Sequence, residues 1–179
     1  MTGVIKSLAE TSLGGDAFPV RATLFDKSPE ANWRVPWHQD TAIAVAERIE
    51  TRGYGGWSVK DGVPHVHPPA EILQGMLAVR VHLDDCDLEN GLLRVLPGSH
   101  RSGKLESEQI EHWKRTVAEV PCVVKAGGVL LMSPLLLHAS SPAENPSRRR
   151  VIHIEYASQE LPNGLRWFER SSSPLLACL

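Results

Sequence analysis

Apolar residues come in short runs, and glycine, proline and small polar residues punctuate them. The run over residues 20–25 predicts a strand, and residues 26–32 a turn. Residues 33–40 make an extended segment, because Pro36 disfavours helix at the residue before it. Residues 41–49, rich in alanine, fit either strand or helix. The clearest pattern spans residues 73–83, where Leu73, Leu77, Val79, Val81 and Leu83 alternate with Gln74, Met76, Ala78, Arg80 and His82. Period two gives a strand with one apolar face, and its other face meets solvent or lines a cup. Residues 91–96 make another strand, stopped by Pro97-Gly98. Pieces at 121–124, 129–132 and 135–138 follow, and 149–157 is the last strand. Residues 104–119 predict the one helix, with Ile110, Trp113 and Val117 at helical spacing. Seven or eight short strands and one helix predict a mostly β fold with few helices: a β-sandwich, a jelly roll or a cupin-like barrel.

Residues 51–72 break this rhythm. Gly53, Gly55, Gly56, Gly62, Pro64, Pro68 and Pro69 predict a long loop there, a candidate substrate lid. The rest of the composition is ordinary for a soluble domain, 42% hydrophobic and 22% charged, and residues 1–179 fit a single domain. A net charge of −2 offers no basic field for nucleic acid. No apolar run approaches the roughly 18 residues of a membrane span. Met1 to Ala9 lack the apolar core of a secretory signal. Cys86, Cys122 and Cys178 match neither a disulfide framework nor a C-x-x-C site. The expectation is a cytoplasmic, reduced domain, and the chain carries no readable mark of oligomeric state.

Eight histidines are many for 179 residues. His38-Gln39-Asp40 places an imidazole and a carboxylate at i and i+2, on one face of an extended segment. Together they make two-thirds of the facial triad of non-haem Fe(II) oxygenases. The same tripeptide also fits an exposed pair at a strand end. His138 closes an apolar run at the mouth of a strand, a position that suits a ligand and equally a partly exposed histidine. Arg149 opens the last strand. If that strand pairs beside the one ending at His138, the guanidinium returns alongside the histidine, deeper in the same cup. Its planar fork there suits a carboxylate, and the distal carboxylate of 2-oxoglutarate is the natural candidate. His153 shares the Arg149 face.

These residues carry a resemblance. Trp37-His38-Gln39-Asp40 is followed by Asn90-Gly91-Leu92-Leu93-Arg94-Val95-Leu96-Pro97-Gly98-Ser99-His100, then Gly127-Gly128-Val129-Leu130. His138-Ala139-Ser140 comes next, with Asn145, Ser147 and Arg149 after it. In order and spacing the chain resembles the phytanoyl-CoA dioxygenase family of Fe(II)/2-oxoglutarate-dependent oxygenases, over roughly residues 20–157. Ala139 departs from the glycine that relatives often carry.

The resemblance implies a double-stranded β-helix with Fe(II) held by His38, Asp40 and His138. It implies 2-oxoglutarate bound by Arg149 and Ser140, with Gln39 within reach. Arg80, on the polar face of 73–83, contacts the cosubstrate or a substrate anion. The reaction implied is an O2-dependent oxidation of a small molecule, with release of succinate and CO2. Related halogenases have a small residue at the aspartate position, so Asp40 favours hydroxylation, desaturation or ring formation. His100 fixes the Pro-Gly-Ser-His turn. Trp57, His65 and His67 on the lid, with Met76 and His153, are substrate candidates, and His65-Val66-His67 also has the alternation of a second metal pair. Two other readings stay open. One is a cupin-like metal enzyme that does not use 2-oxoglutarate, and the other is a non-catalytic ligand-binding jelly roll.

Overall fold

The computed structural model describes residues 2–143 and 148–172. Asn145, Ser147 and Cys178 lie outside the described residues. The elements in chain order are α1 (Thr2–Leu13), β1 (Phe18–Lys27), β2 (Val35–His38), β3 (Ile43–Ala44), β4 (Gly55–Lys60), β5 (Val63–His67), α2 (Ala70–Gln74) and β6 (Met76–His82). There follow β7 (Leu93–Val95), a 3-10 turn (Ser99–Ser102), α3 (Ser107–Thr116), β8 (Val120–Pro121), β9 (Val129–Met132), β10 (His138–Ser140), β11 (Arg149–Ala157) and α4 (Phe168–Ser172). The chain divides into two compact units, one of residues 1–22, 41–79 and 154–179, the other of residues 23–40 and 80–153.

The first unit contains the antiparallel sheet β3-β5-β4. The expected loop at 51–72 is an ordered hairpin, with Lys60 opposite Val63 and Ser58 opposite His65. Its turn is Asp61-Gly62, at φ 51° and 80°. Positive φ at both central residues matches the twist of the flanking strands, and glycine tolerates it without strain. Helix α1 escapes the sequence pattern, yet it buries Ile5 and Ala9 at i and i+4. Residues 73–83 split into the end of α2 and β6, with Gly75 capping the helix.

The second unit contains the sheet β2-β10-β7-β8. His138 of β10 lies opposite His38 of β2 on one side and opposite Val95 of β7 on the other. The remaining four-stranded sheet runs β1-β11-β6-β9. Strands β10 and β11 therefore do not pair as neighbours: His138 and Arg149 stand on different sheets. All seven residues of β6 are buried, so its polar face lines the interior. The Asn90-Gly91 turn is built from the backbone. Asn90 bonds Asp85 O at 2.7 Å and receives Asp87 N at 2.9 Å. A Cβ at Gly91 would stand 2.6 Å from Ser141 O, and its φ is 71°. Ser99, rather than His100, fixes the Pro-Gly-Ser-His turn: its hydroxyl bonds Leu96 O at 2.8 Å and accepts Leu137 N at 2.8 Å.

Asp84, just past β6, ties that strand to the start of β11. It accepts Arg150 N, Nε and Nη2 at 2.8, 2.9 and 2.8 Å. These bonds hold the Asp84 carboxyl at about 2, below its usual 3.8. A carboxyl depressed in the folded state stabilises above its unfolded pKa and loses that contribution as pH falls toward the folded one. Asp84→Asn is expected to lower Tm by roughly 2–4 °C at neutral pH. The gap between variant and wild type should shrink as pH falls from 3.8 toward 2 in thermal melts. A gap that stays constant over that range contradicts the assignment.

Candidate metal centre

The extended backbone of residues 38–40 sends His38 and Asp40 to one side and Gln39 to the other. Gln39 is buried, and its amide works as a strut. Its Nε2 donates to Leu135 O at 2.6 Å and Gly103 O at 2.9 Å, while Oε1 accepts Leu105 N at 2.8 Å. Asp40 N adds a bond to Pro134 O at 2.8 Å. The segment bearing His38 and Asp40 is thus fastened to the turn that leads into His138. Gln39 is spent on backbone carbonyls and amides, so the structure gives it a positioning task in place of reach to a cosubstrate.

His38, Asp40 and His138 each offer one ligand atom, and these atoms lie within 4.8 Å of one another. His38 Nε2 is 3.4 Å from one Asp40 oxygen and His138 Nε2 is 3.6 Å from the other. The imidazole centroids are 4.2 Å apart. Each ring commits its Nδ1 to the carbonyl two residues earlier: His38 to Pro36 O at 2.9 Å and His138 to Leu136 O at 2.8 Å. A carbonyl only accepts, so Nδ1 carries the proton in both rings and Nε2 keeps its lone pair. Such outer bonds are what orient metal-bound histidines.

The electrostatics favour the ligand forms at two of the three residues. Burial pushes the His138 pKa down to about 4. Burial also opposes ionisation of Asp40, but the influence of the neighbouring His38, His138 and His153 imidazoles prevails and holds it at about 2. His38 goes the other way. Burial disfavours its charged form, yet the Asp40 carboxylate outweighs burial and the pKa is raised.

The same unit buries a set of basic side chains. Arg149 is 4% exposed, and its Nε has no hydrogen-bond partner. Its Nη1 lies 3.7 Å from Cys86 Sγ. Ser140 donates to Gly91 O at 2.8 Å and accepts from Lys27 Nζ at 3.0 Å. Lys27 is itself buried, also bonds Ser141 O at 3.1 Å, and sits over the Trp33 ring. Burial, with the charge of Arg149, pulls its pKa down to about 8. Both ring nitrogens of His82 are buried and unpartnered, and burial lowers its pKa to about 4. Arg80 donates to His153 Nδ1 at 2.9 Å.

Lys27 and His82 are the residues that sequence reasoning passed over. The apolar run stops at Phe25, but β1 continues to Lys27, which shares the period-two face of Phe25. His82 stood on the named polar face of residues 73–83 without being singled out.

The substrate candidates of the other unit are differently placed. His65 is buried, with Nε2 receiving Arg21 at 2.9 Å and Nδ1 on Val63 O at 2.9 Å. Both nitrogens are committed, so it has none for a second metal. His67 is exposed and bonds Thr41 Oγ1 at 3.0 Å. Trp57 lies under Arg48, and Met76 is buried. Among the described residues only the His38–Asp40–His138 group has the convergence of a metal site.

The donor set, two imidazoles and one carboxylate, is the combination that holds a ferrous ion in facial-triad sites. The unpartnered Arg149 and His82 nitrogens fit a bound anion, since buried polar groups are ordinarily satisfied.

Comparison with known proteins identifies the family. Residues 5–151 match the family described as phytanoyl-CoA dioxygenase (PhyH). The chain is 28% identical over 113 residues to dioxygenase lolE1 of Epichloe uncinata, covering 56% of this chain and 43% of that protein. It is 27% identical over 175 residues to the L-proline trans-4-hydroxylase of Streptomyces griseoviridis, covering 83% and 58% respectively. Among solved structures it resembles AviO1 from Streptomyces viridochromogenes Tue57, with a TM-score of 0.62 and 28% identity over 89% of this chain and 59% of that one. The chain thus spans about half the length of the curated relatives it matches. The antiparallel sheets are those of the double-stranded β-helix.

Removing an outer hydrogen bond from a metal ligand typically lowers affinity about 10–100-fold, and removing the ligand is more severe. His138→Ala and Asp40→Ala are each expected to weaken Mn(II) binding by about a hundredfold or more in calorimetry. Binding needs neutral His38, so affinity should fall by up to about tenfold per pH unit below the raised His38 pKa. Wild-type affinity that is flat with pH, or variants that bind normally, contradict the site.

Proposed function

The chain belongs to the phytanoyl-CoA dioxygenase family, and from that premise we propose that it is an Fe(II)- and 2-oxoglutarate-dependent oxygenase. It oxidises an unactivated C–H of a small molecule with O2, most simply by hydroxylation, and releases succinate and CO2. The observation that carries this reading is the pair of Nδ1-anchored imidazoles facing one carboxylate, with a buried arginine, Arg149, whose Nε has no partner, in the same unit.

When bound, the metal and 2-oxoglutarate supply the oxidising chemistry. The protein's own residues do the rest. His38 and His138 present Nε2 lone pairs, and Asp40 presents its carboxylate, as the three protein ligands. Arg149 receives the distal carboxylate of 2-oxoglutarate. Lys27 lends a second positive charge through the Ser140 hydroxyl it bonds, and His82 adds an imidazole with two uncommitted nitrogens. Gln39 and the Ser99 turn hold the ligand-bearing segments in place. The burial of these groups keeps water from competing for the anion and strengthens each charge interaction.

Succinate formation should require Fe(II), O2 and 2-oxoglutarate together. A charge-assisted hydrogen bond contributes roughly 1.5–3 kcal/mol. Arg149→Ala is therefore expected to raise the KM for 2-oxoglutarate by about tenfold or more, with a smaller change in kcat. An unchanged KM removes Arg149 from the cosubstrate site. Metal-dependent turnover without 2-oxoglutarate would favour a cupin-like metal enzyme instead.

A further inference from the structure

The same unit buries two guanidinium groups, Arg149 and Arg80, and one 2-oxoglutarate has one distal carboxylate to offer. Arg149 stands with Cys86 at 3.7 Å and is felt electrostatically by Lys27. Arg80 is set in different company. Its Nη1 donates to His153 Nδ1 at 2.9 Å, and the guanidinium lies 5.4 Å from the Phe25 ring centre. His153 meets the same Phe25 edge-on at 5.6 Å. Arg80 Nε is buried with no hydrogen-bond partner. Among the described residues no carboxylate lies within ion-pair distance of it. Its charge is nevertheless felt at the metal cluster, since it interacts with Asp40 and lowers the pKa of His138.

A buried guanidinium flanked by an imidazole and a phenyl ring lacks the anion that would compensate it. Burial pulls its pKa down to about 10, so it stays charged at neutral pH. Asp40 belongs to the metal, and the metal end of 2-oxoglutarate is met by the metal itself. The planar fork remains available to one further carboxylate.

Building on the oxygenase reading above, we propose that Arg80, seated by His153 and Phe25, is the receptor for a carboxylate of the substrate. The substrate class is then a small organic acid, gripped by its carboxylate at Arg80 so that the C–H to be oxidised faces the metal. This is a binding role distinct from that of Arg149, which serves the cosubstrate.

The test uses fluorine NMR on the full chain loaded with Mn(II) and 2-oxoglutarate, with trifluoroacetate and its neutral analogue trifluoroacetamide as probes. Paramagnetic broadening reports approach to the metal. Wild type and Arg80→Lys should broaden trifluoroacetate but not trifluoroacetamide. Arg80→Gln should reduce that broadening by about fivefold or more, with Mn(II)-dependent 2-oxoglutarate affinity within about threefold of wild type. The retained affinity also certifies that the variant is folded. Equal behaviour of the two probes in wild type overturns the proposal without any variant. So does broadening that persists in Arg80→Gln. A fall in 2-oxoglutarate affinity of about tenfold or more in both Arg80 variants assigns Arg80 to the cosubstrate and also overturns it. Failure of the oxygenase reading has its own signature, a wild type that binds no 2-oxoglutarate with Mn(II) present.

Discussion

Two hydrogen bonds of the same form, from His38 Nδ1 to Pro36 O and from His138 Nδ1 to Leu136 O, determine what the rest of the site does. An imidazole has two interchangeable nitrogens, and only a partner at one of them decides which keeps a lone pair. Here the partner is a backbone carbonyl, which cannot titrate or rotate away. Both lone pairs are thereby delivered at Nε2, toward the same carboxylate. The supporting bonds of Gln39 to residues 103, 105 and 135, and of Asp40 N to Pro134 O, hold the two ligand-bearing segments together.

The second constraint is charge. Lys27, Arg80 and Arg149 are all buried in one unit, and Asp40 is felt only at Arg80 among them, so the interior is short of negative charge. The deficit is local, because Asp84 is consumed by Arg150 at the edge of the same unit. A dianionic cosubstrate and an acidic substrate would both move the interior toward neutrality. The unpartnered nitrogens of Arg149, Arg80 and His82 are separate expressions of that shortage, while burial, with the charge of Arg149, depresses the pKa of Lys27.

Much of this was legible in the sequence, for reasons tied to particular residues. The i, i+2 spacing of His38 and Asp40 survives any detail of the fold, because extended backbone alternates. The polar face of residues 76–82 was visible for the same reason. Strand partnership was not, since period two says which face a residue takes but not which strand lies beside it. Arg149 consequently stands on the sheet of β6 and not beside β10. The 51–72 stretch misled through its glycines and prolines, which here shape a hairpin around Asp61-Gly62 instead of a loop. Gln39 shows the limit of carrying a role by position. What it does depends on the carbonyls of Gly103 and Leu135, which lie 64 and 96 residues along the chain.

The account turns on which atoms hold the metal. An anaerobic crystal structure of the Fe(II)-loaded protein with 2-oxoglutarate tests it most directly. The predicted result is iron bound by His38 Nε2, His138 Nε2 and one Asp40 oxygen at about 2.0–2.2 Å, with both Nδ1 bonds to Pro36 and Leu136 intact. Iron bound through either Nδ1, or bound elsewhere in the chain, contradicts it.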